Sequence, residues 1–136
     1  MYNLGYSSFS YFARSARVID GRFMEKAVVL IVEDEALIRM NAVSMLEDAG
    51  YTVLEACNAD EAILMLESRS DIRAVFTDIN MTGSMDGLKL AHAIRGRWPP
   101  IHILVTSGLL TITEAELPPK GRFIPKPYDS AHVTAI

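Results

Sequence analysis

Short apolar runs that alternate with amphipathic stretches are the feature that most constrains how this chain can fold. AVVLIV (27–32) is continuously apolar and rich in β-branched residues, the pattern of a strand buried on both faces. After Glu33-Asp34-Glu35, residues Ile38, Ala42, Met45, Leu46 and Ala49 share one helical face. Gly50 then stands where a left-handed helix terminus is wanted. Thr52 to Ala56 predicts a second strand, and Asn58 with Glu61 three residues on is a capping-box-like start for a helix over 59–68. A third strand, Ala74 to Thr77, runs into Asp78 and a polar, glycine-containing loop. Asp86 stands to cap a helix through Arg97, on which Leu90, Ala91, Ile94 and Trp98 line up, and Pro99-Pro100 stops it. IHILV (101–105) and RFI (122–124) are the fourth and fifth strands. Alternation calls for a helix between them, in residues 109–119. Leu-Leu-Thr-Ile-Thr favours helix poorly and Pro118-Pro119 closes the stretch, so a short or frayed helix is expected.

Apolar strands alternating with helices imply parallel βαβ units and a doubly wound α/β sheet, with right-handed crossovers leaving few topologies. In such sheets ligands bind beyond the carboxyl ends of the strands, where strand order reverses. That rule selects Glu33-Asp34, Asp78, Thr106-Ser107 and Lys126, all polar and all at the ends of apolar runs. Three carboxylates, a hydroxyl and an ammonium then converge, with Asp78 expected at a solvent-facing strand end. Clustered carboxylates repel one another, and a hard divalent cation relieves the repulsion. Mg²⁺, which takes a few carboxylates and keeps several waters, fits that donor set. A metal beside an Asp, with an ammonium and a hydroxyl donor, suits phosphoryl transfer.

Other chemistries lack their parts. There is no GxxxxGK[ST] loop and no GxGxxG fingerprint. His92, His102 and His132 have no metal-ligand spacing, Cys57 is the only cysteine, and Ser107-Gly108 is not a GxSxG elbow. Taken singly, the selected residues also have plainer readings. Asp34 could cap the following helix, Asp78 could be a turn residue, Lys126 a solvated lysine, Thr106 a satisfied strand-end hydroxyl and Phe123 simple core.

The strings LIVEDE (30–35), FTDINMTGSMDG (76–87), VTSG (105–108) and FIPKPY (123–128) together resemble the receiver domains of two-component response regulators, in order and spacing over residues 26–136. The resemblance implies a flavodoxin-like five-stranded parallel sheet, order 2-1-3-4-5, with helices on both faces. It implies that Asp78 accepts a phosphoryl group from a histidine kinase or histidine phosphotransfer protein. Asp34 matches the direct Mg²⁺ ligand, Glu33 the acidic partner acting mainly through water, and Asn80 the residue whose backbone carbonyl completes the metal shell. Thr106 and Lys126 match the hydroxyl and ammonium that meet the phosphoryl group, and Phe123 the aromatic switch. The Lys126-Pro127 bond is usually cis in the family. Three departures stand out: Glu-Asp in place of Asp-Asp, Thr82 where proline is usual (so a less rigid loop is expected), and only six residues after Asp129-Ser130. The alternatives are a pseudo-receiver that docks a partner without being phosphorylated, and a small Mg²⁺-dependent phosphohydrolase. The second is disfavoured because Asp78-Ile79-Asn80 supplies no further carboxylate as acid or base.

Charge and aromatic content divide the chain of 136 residues. Residues 1–23 hold three arginines against one aspartate and six of the eleven aromatic residues, so the net −4 of the chain leaves −6 for the remainder. This segment has no apolar core of a secretory signal and is expected to lie outside the fold, with the receiver domain at 24–136 and its final helix shortened. No apolar run approaches the ~18 residues of a membrane span. The acidic balance argues against nucleic acid as a direct partner. The expectation is a stand-alone cytoplasmic receiver. It catalyses at most its own phosphorylation and dephosphorylation, and signals by contact with a downstream protein or acts as a phosphate relay.

Overall fold

The computed structural model describes residues 27–109, 111–128 and 133, together with the backbone of two short strands, Val18–Ile19 and Arg22–Phe23. Those two strands pair antiparallel in a sheet of their own. The rest of the N-terminal segment, and the shortened final helix apart from Val133, lie outside the described residues.

The main sheet has five strands: β1 (Val28–Val32), β2 (Thr52–Ala56), β3 (Ile72–Asp78), β4 (His102–Ser107) and β5 (Arg122–Pro125). They are all parallel, in the spatial order β2-β1-β3-β4-β5. This is the expected 2-1-3-4-5 arrangement, and its strand order reverses between β1 and β3. Helices α1 (Ala36–Asp48), α2 (Ala59–Ser68) and α3 (Gly87–Arg97) connect the first four strands.

Alternate residues of each strand serve opposite cores, which is why the strands read as unbroken apolar runs. Leu30, Val32, Val75 and Val105 face Ala62 and Leu66 of α2 and Leu90 and Ile94 of α3. Val29, Ile31, Phe76, Leu104 and Ile124 face Ala42 and Leu46 of α1, with Val133 on the same side. Among the described elements α1 covers one face, and α2 and α3 cover the other.

Local chemistry sets the element boundaries. Asn58 accepts a hydrogen bond from the Glu61 amide at 2.9 Å, capping α2 as the sequence predicts. The reciprocal arm is displaced: Glu61 Oε1 accepts from the amide of Cys57 rather than that of Asn58. Asp86 caps α3 through the Lys89 amide. Gly50 has φ +101°, the left-handed conformation that ends α1.

Other boundaries differ from the sequence expectation. β3 starts two residues before Ala74, at Ile72, and β4 runs on to Ser107, because pairing with β1 and β5 extends both ladders. Ala49, assigned to the buried face of α1, is exposed at its C-terminal cap. In residues 109–119 the expected helix is reduced to one 3₁₀ turn, Glu114–Glu116, closed by a capping box from Thr113.

Candidate phosphoryl and metal site

Sheet register assembles the site. Asp78 is the last residue of β3 and pairs across the ladder with Thr106 of β4, which in turn pairs with Ile124 of β5. Lys126 follows β5 by one residue, and its amide donates to the Ser107 carbonyl, fixing the entry to the loop. The Lys126-Pro127 peptide is cis, as the resemblance anticipated. Glu33 and Asp34 follow β1 directly.

Asp78, expected at a solvent-facing strand end, is instead buried and only 4% exposed. Its carboxylate lies under Lys126, with Oδ1 3.2 Å from the ammonium, an ion pair whose angle falls outside hydrogen-bond geometry. Lys126 also donates to Glu33 Oε1 at 3.1 Å, so one ammonium serves two buried carboxylates. Burial pushes the Asp78 carboxyl above its ordinary pKa of 3.8, against the opposing pull of Lys126. Burial likewise raises Glu33, with Asp78 adding repulsion. At Lys126 burial pulls the pKa down, but Glu33 and Asp78 together outweigh it and the ammonium is held above its usual range. Lys126 is therefore not a solvated lysine.

Thr106 is 2% exposed, and its hydroxyl has no hydrogen-bond partner among the described residues. A buried unpaired hydroxyl costs about 1–3 kcal/mol, so this orphan, across the ladder from Asp78, is a donor without an acceptor.

Ligand oxygens of Glu33, Asp34 and Asp78 lie within 4.8 Å of one another, a spacing that could hold a divalent cation. The residues present fit Mg²⁺: all donors are oxygens, three are carboxylate, and Asp78 Oδ1 has no hydrogen bond. Within the set the two leading acids differ. Both Glu33 oxygens are engaged, Oε1 by Lys126 and Oε2 by the Glu35 amide. Asp34 does not cap α1, whose N-cap is Glu35; its Oδ2 instead accepts from the Thr82 amide at 3.1 Å. The Asn80 backbone N–H faces the Asp78 carboxylate, and the Asn80 side-chain oxygen accepts from the Ser107 hydroxyl. Phe123, on β5, is half-buried against the α2/α3 core.

Three contributors escaped the sequence reading. Gly87, the first residue of α3, packs so closely on Asp78 that a Cβ there would lie 1.8 Å from the Asp78 carbonyl oxygen. Arg39 Nη1 donates to the Glu33 carbonyl at 2.8 Å, tying α1 to the acidic turn. Tyr128, packed on Phe76, has its phenol pushed up to about 12 by burial and by the charges of Glu33 and Asp78. Gly87 and Tyr128 stood in the strings FTDINMTGSMDG and FIPKPY without a role of their own, and Arg39 left no trace.

Comparison with known proteins agrees with this geometry. Residues 29–136 match the model of the response regulator receiver domain. The chain belongs to that family. The receiver is 38% identical over 106 residues to the sensor kinase CckA of Brucella abortus, covering 75% of this chain and 11% of that protein. It is 33% identical to the nitrogen assimilation regulatory protein NtrX of Azorhizobium caulinodans, covering 79% of this chain and 24% of that protein. The receiver thus spans about a tenth to a quarter of these relatives. Among solved structures, a response regulator receiver protein from Sinorhizobium medicae superposes with a TM-score of 0.73 at 32% identity, covering 79% of this chain and 87% of that one. Among the described residues no helix is long and apolar enough to cross a membrane.

Proposed function

We propose that Asp78 is the phosphoryl acceptor of this receiver, and that the donor is the phosphohistidine of a histidine kinase or phosphotransfer protein. The observation that carries this reading is the buried Asp78 carboxylate, paired with Lys126 and set across the ladder from the unpartnered Thr106 hydroxyl. An Asp78 oxygen attacks phosphorus, the P–N bond breaks, and the imidazole leaves with its electron pair. Lys126 then pairs with a phosphoryl oxygen instead of the lost carboxylate charge, and Thr106 donates its hydroxyl hydrogen to another.

Asp34 and Asp78 would hold Mg²⁺ directly, with the Asn80 carbonyl, and Glu33 through water. Bound there, the ion neutralises charge developing on the transferring group. The distribution of partners supports that division, since Glu33 already uses both oxygens.

Phosphorylation adds roughly −1.5 to −2 charge by analogy with other phosphoresidues. Drawing Thr106 towards it opens space behind β4 for Phe123. Among the described residues the segment between Thr106 and Phe123 has a single 3₁₀ turn as its only helix, so we place the partner-reading surface on residues 109–124, where Ile112, Leu117 and Phe123 line a groove. The output is contact with a downstream protein or relay of the phosphoryl group. Folded Asp78→Ala protein should take no label from a phosphohistidine donor; labelling at the wild-type level overturns the assignment.

A further inference from the structure

We propose that Thr82, through its backbone N–H, is a positioning residue that holds the Asp34 carboxylate in place for a divalent cation. The inference rests on the metal reading of Glu33, Asp34 and Asp78.

The loop between β3 and α3 crosses over the ends of β1 and β2 and is tied down at two points. Thr82 donates its amide to Asp34 Oδ2 at 3.1 Å, and Ser84 Oγ donates to Asp60 Oδ1, in the first turn of α2, at 2.5 Å. Between them Gly83 takes φ +114°, and a Cβ added there would sit 3.6 Å from the Asn58 Cβ. These two hydrogen bonds are what hold the loop, which lacks the proline usual at position 82.

Asp34 is half-exposed on the turn after β1, and no other described hydrogen bond fixes its carboxylate. A short side chain at such a place samples several rotamers, and a cation must order it. An amide donor on one oxygen removes that freedom beforehand and leaves the second oxygen for the ion. Hydrogen-bond partners of ligating carboxylates commonly contribute 10–100-fold to metal affinity. The donor here is a main-chain group, and proline at position 82 would abolish it. Threonine at this position is thus functional through what it retains on its backbone, and its side chain is dispensable.

The test uses the full chain without phosphoryl donor. Mg²⁺ affinity is measured by calorimetry for the wild type, Thr82→Pro, Thr82→Ala and Ser84→Ala, and amide exchange at Thr82 is followed by NMR in the wild type and in Asp34→Ala. The expected result is about a tenfold loss of affinity in Thr82→Pro, with Thr82→Ala and Ser84→Ala within about twofold of the wild type. The Thr82 amide should exchange slowly in the wild type and fast in Asp34→Ala, a readout that stands if Thr82→Pro fails to fold. Wild-type affinity in Thr82→Pro, an equal loss in Ser84→Ala, or exchange at Thr82 indifferent to Asp34 each overturns the proposal. Absence of Mg²⁺ binding in the wild type itself overturns the metal site, and the proposal with it.

Discussion

Gly87 lies directly against the carbonyl of Asp78: a Cβ added to Gly87 would meet that oxygen at 1.8 Å and the carbonyl carbon at 2.6 Å. Neither neighbour is a flexible side-chain end, so any larger residue must displace the main chain of the proposed acceptor. The same close approach lets the Gly87 amide reach the Ile79 carbonyl at 3.0 Å.

Gly87→Ala should therefore destabilise the fold by about 3 kcal/mol and reduce phosphoryl acceptance in whatever protein remains folded. Urea unfolding followed by circular dichroism reads the first effect, and phosphoryl labelling per folded molecule the second. Stability and labelling both equal to the wild type would contradict the packing described.

Asp78→Asn should stabilise the metal-free protein at neutral pH. Burial raises the Asp78 carboxyl in the folded state, so folding is penalised wherever that group is ionised. The penalty is present above the raised folded value and fades as pH falls through it towards the ordinary 3.8. The gain should be present at pH 7 and shrink in acid. Thermal melts in chelator at several pH values check this; a gain that grows on acidification has the wrong sign.

Asp34→Ala should weaken Mg²⁺ binding more than Glu33→Ala does, because Glu33 already spends its oxygens on Lys126 and the Glu35 amide. Calorimetric titration of both variants decides, and equal losses contradict the division of roles.

Hydrogen exchange with and without a beryllium fluoride adduct should change mainly in residues 106–124. Thr106 has an unused hydroxyl, and among the described residues the segment beyond it carries one 3₁₀ turn. Changes concentrated in residues 35–70 would contradict the proposed path.

Much of this was legible before the fold. The parallel sheet and its two-sided core follow from apolar runs, the strand order came with the family resemblance, and Asp34, Asp78, Thr106 and Lys126 stood out as polar residues ending those runs. The pattern of partners was not legible. That Lys126 bridges Glu33 and Asp78 depends on the turn after β5, 93 positions from Glu33. That Asp34 binds a loop amide and caps nothing depends on how residues 82–84 cross two strand ends. Burial of Asp78 comes from Lys126 and Gly87 closing over it, two contacts that no local pattern encodes. The segment 109–119 failed as a helix because β-branched residues and two prolines prevailed over the alternation that called for one.

The central claim is that this receiver carries one phosphoryl group, on Asp78. Incubating wild-type and Asp78→Asn protein with acetyl phosphate and Mg²⁺, then weighing the intact chains, tests it most directly. The account predicts a mass increase of one phosphoryl group on the wild type and none on Asp78→Asn, which should remain folded. An unmodified wild type, or equal modification of both proteins, would contradict it.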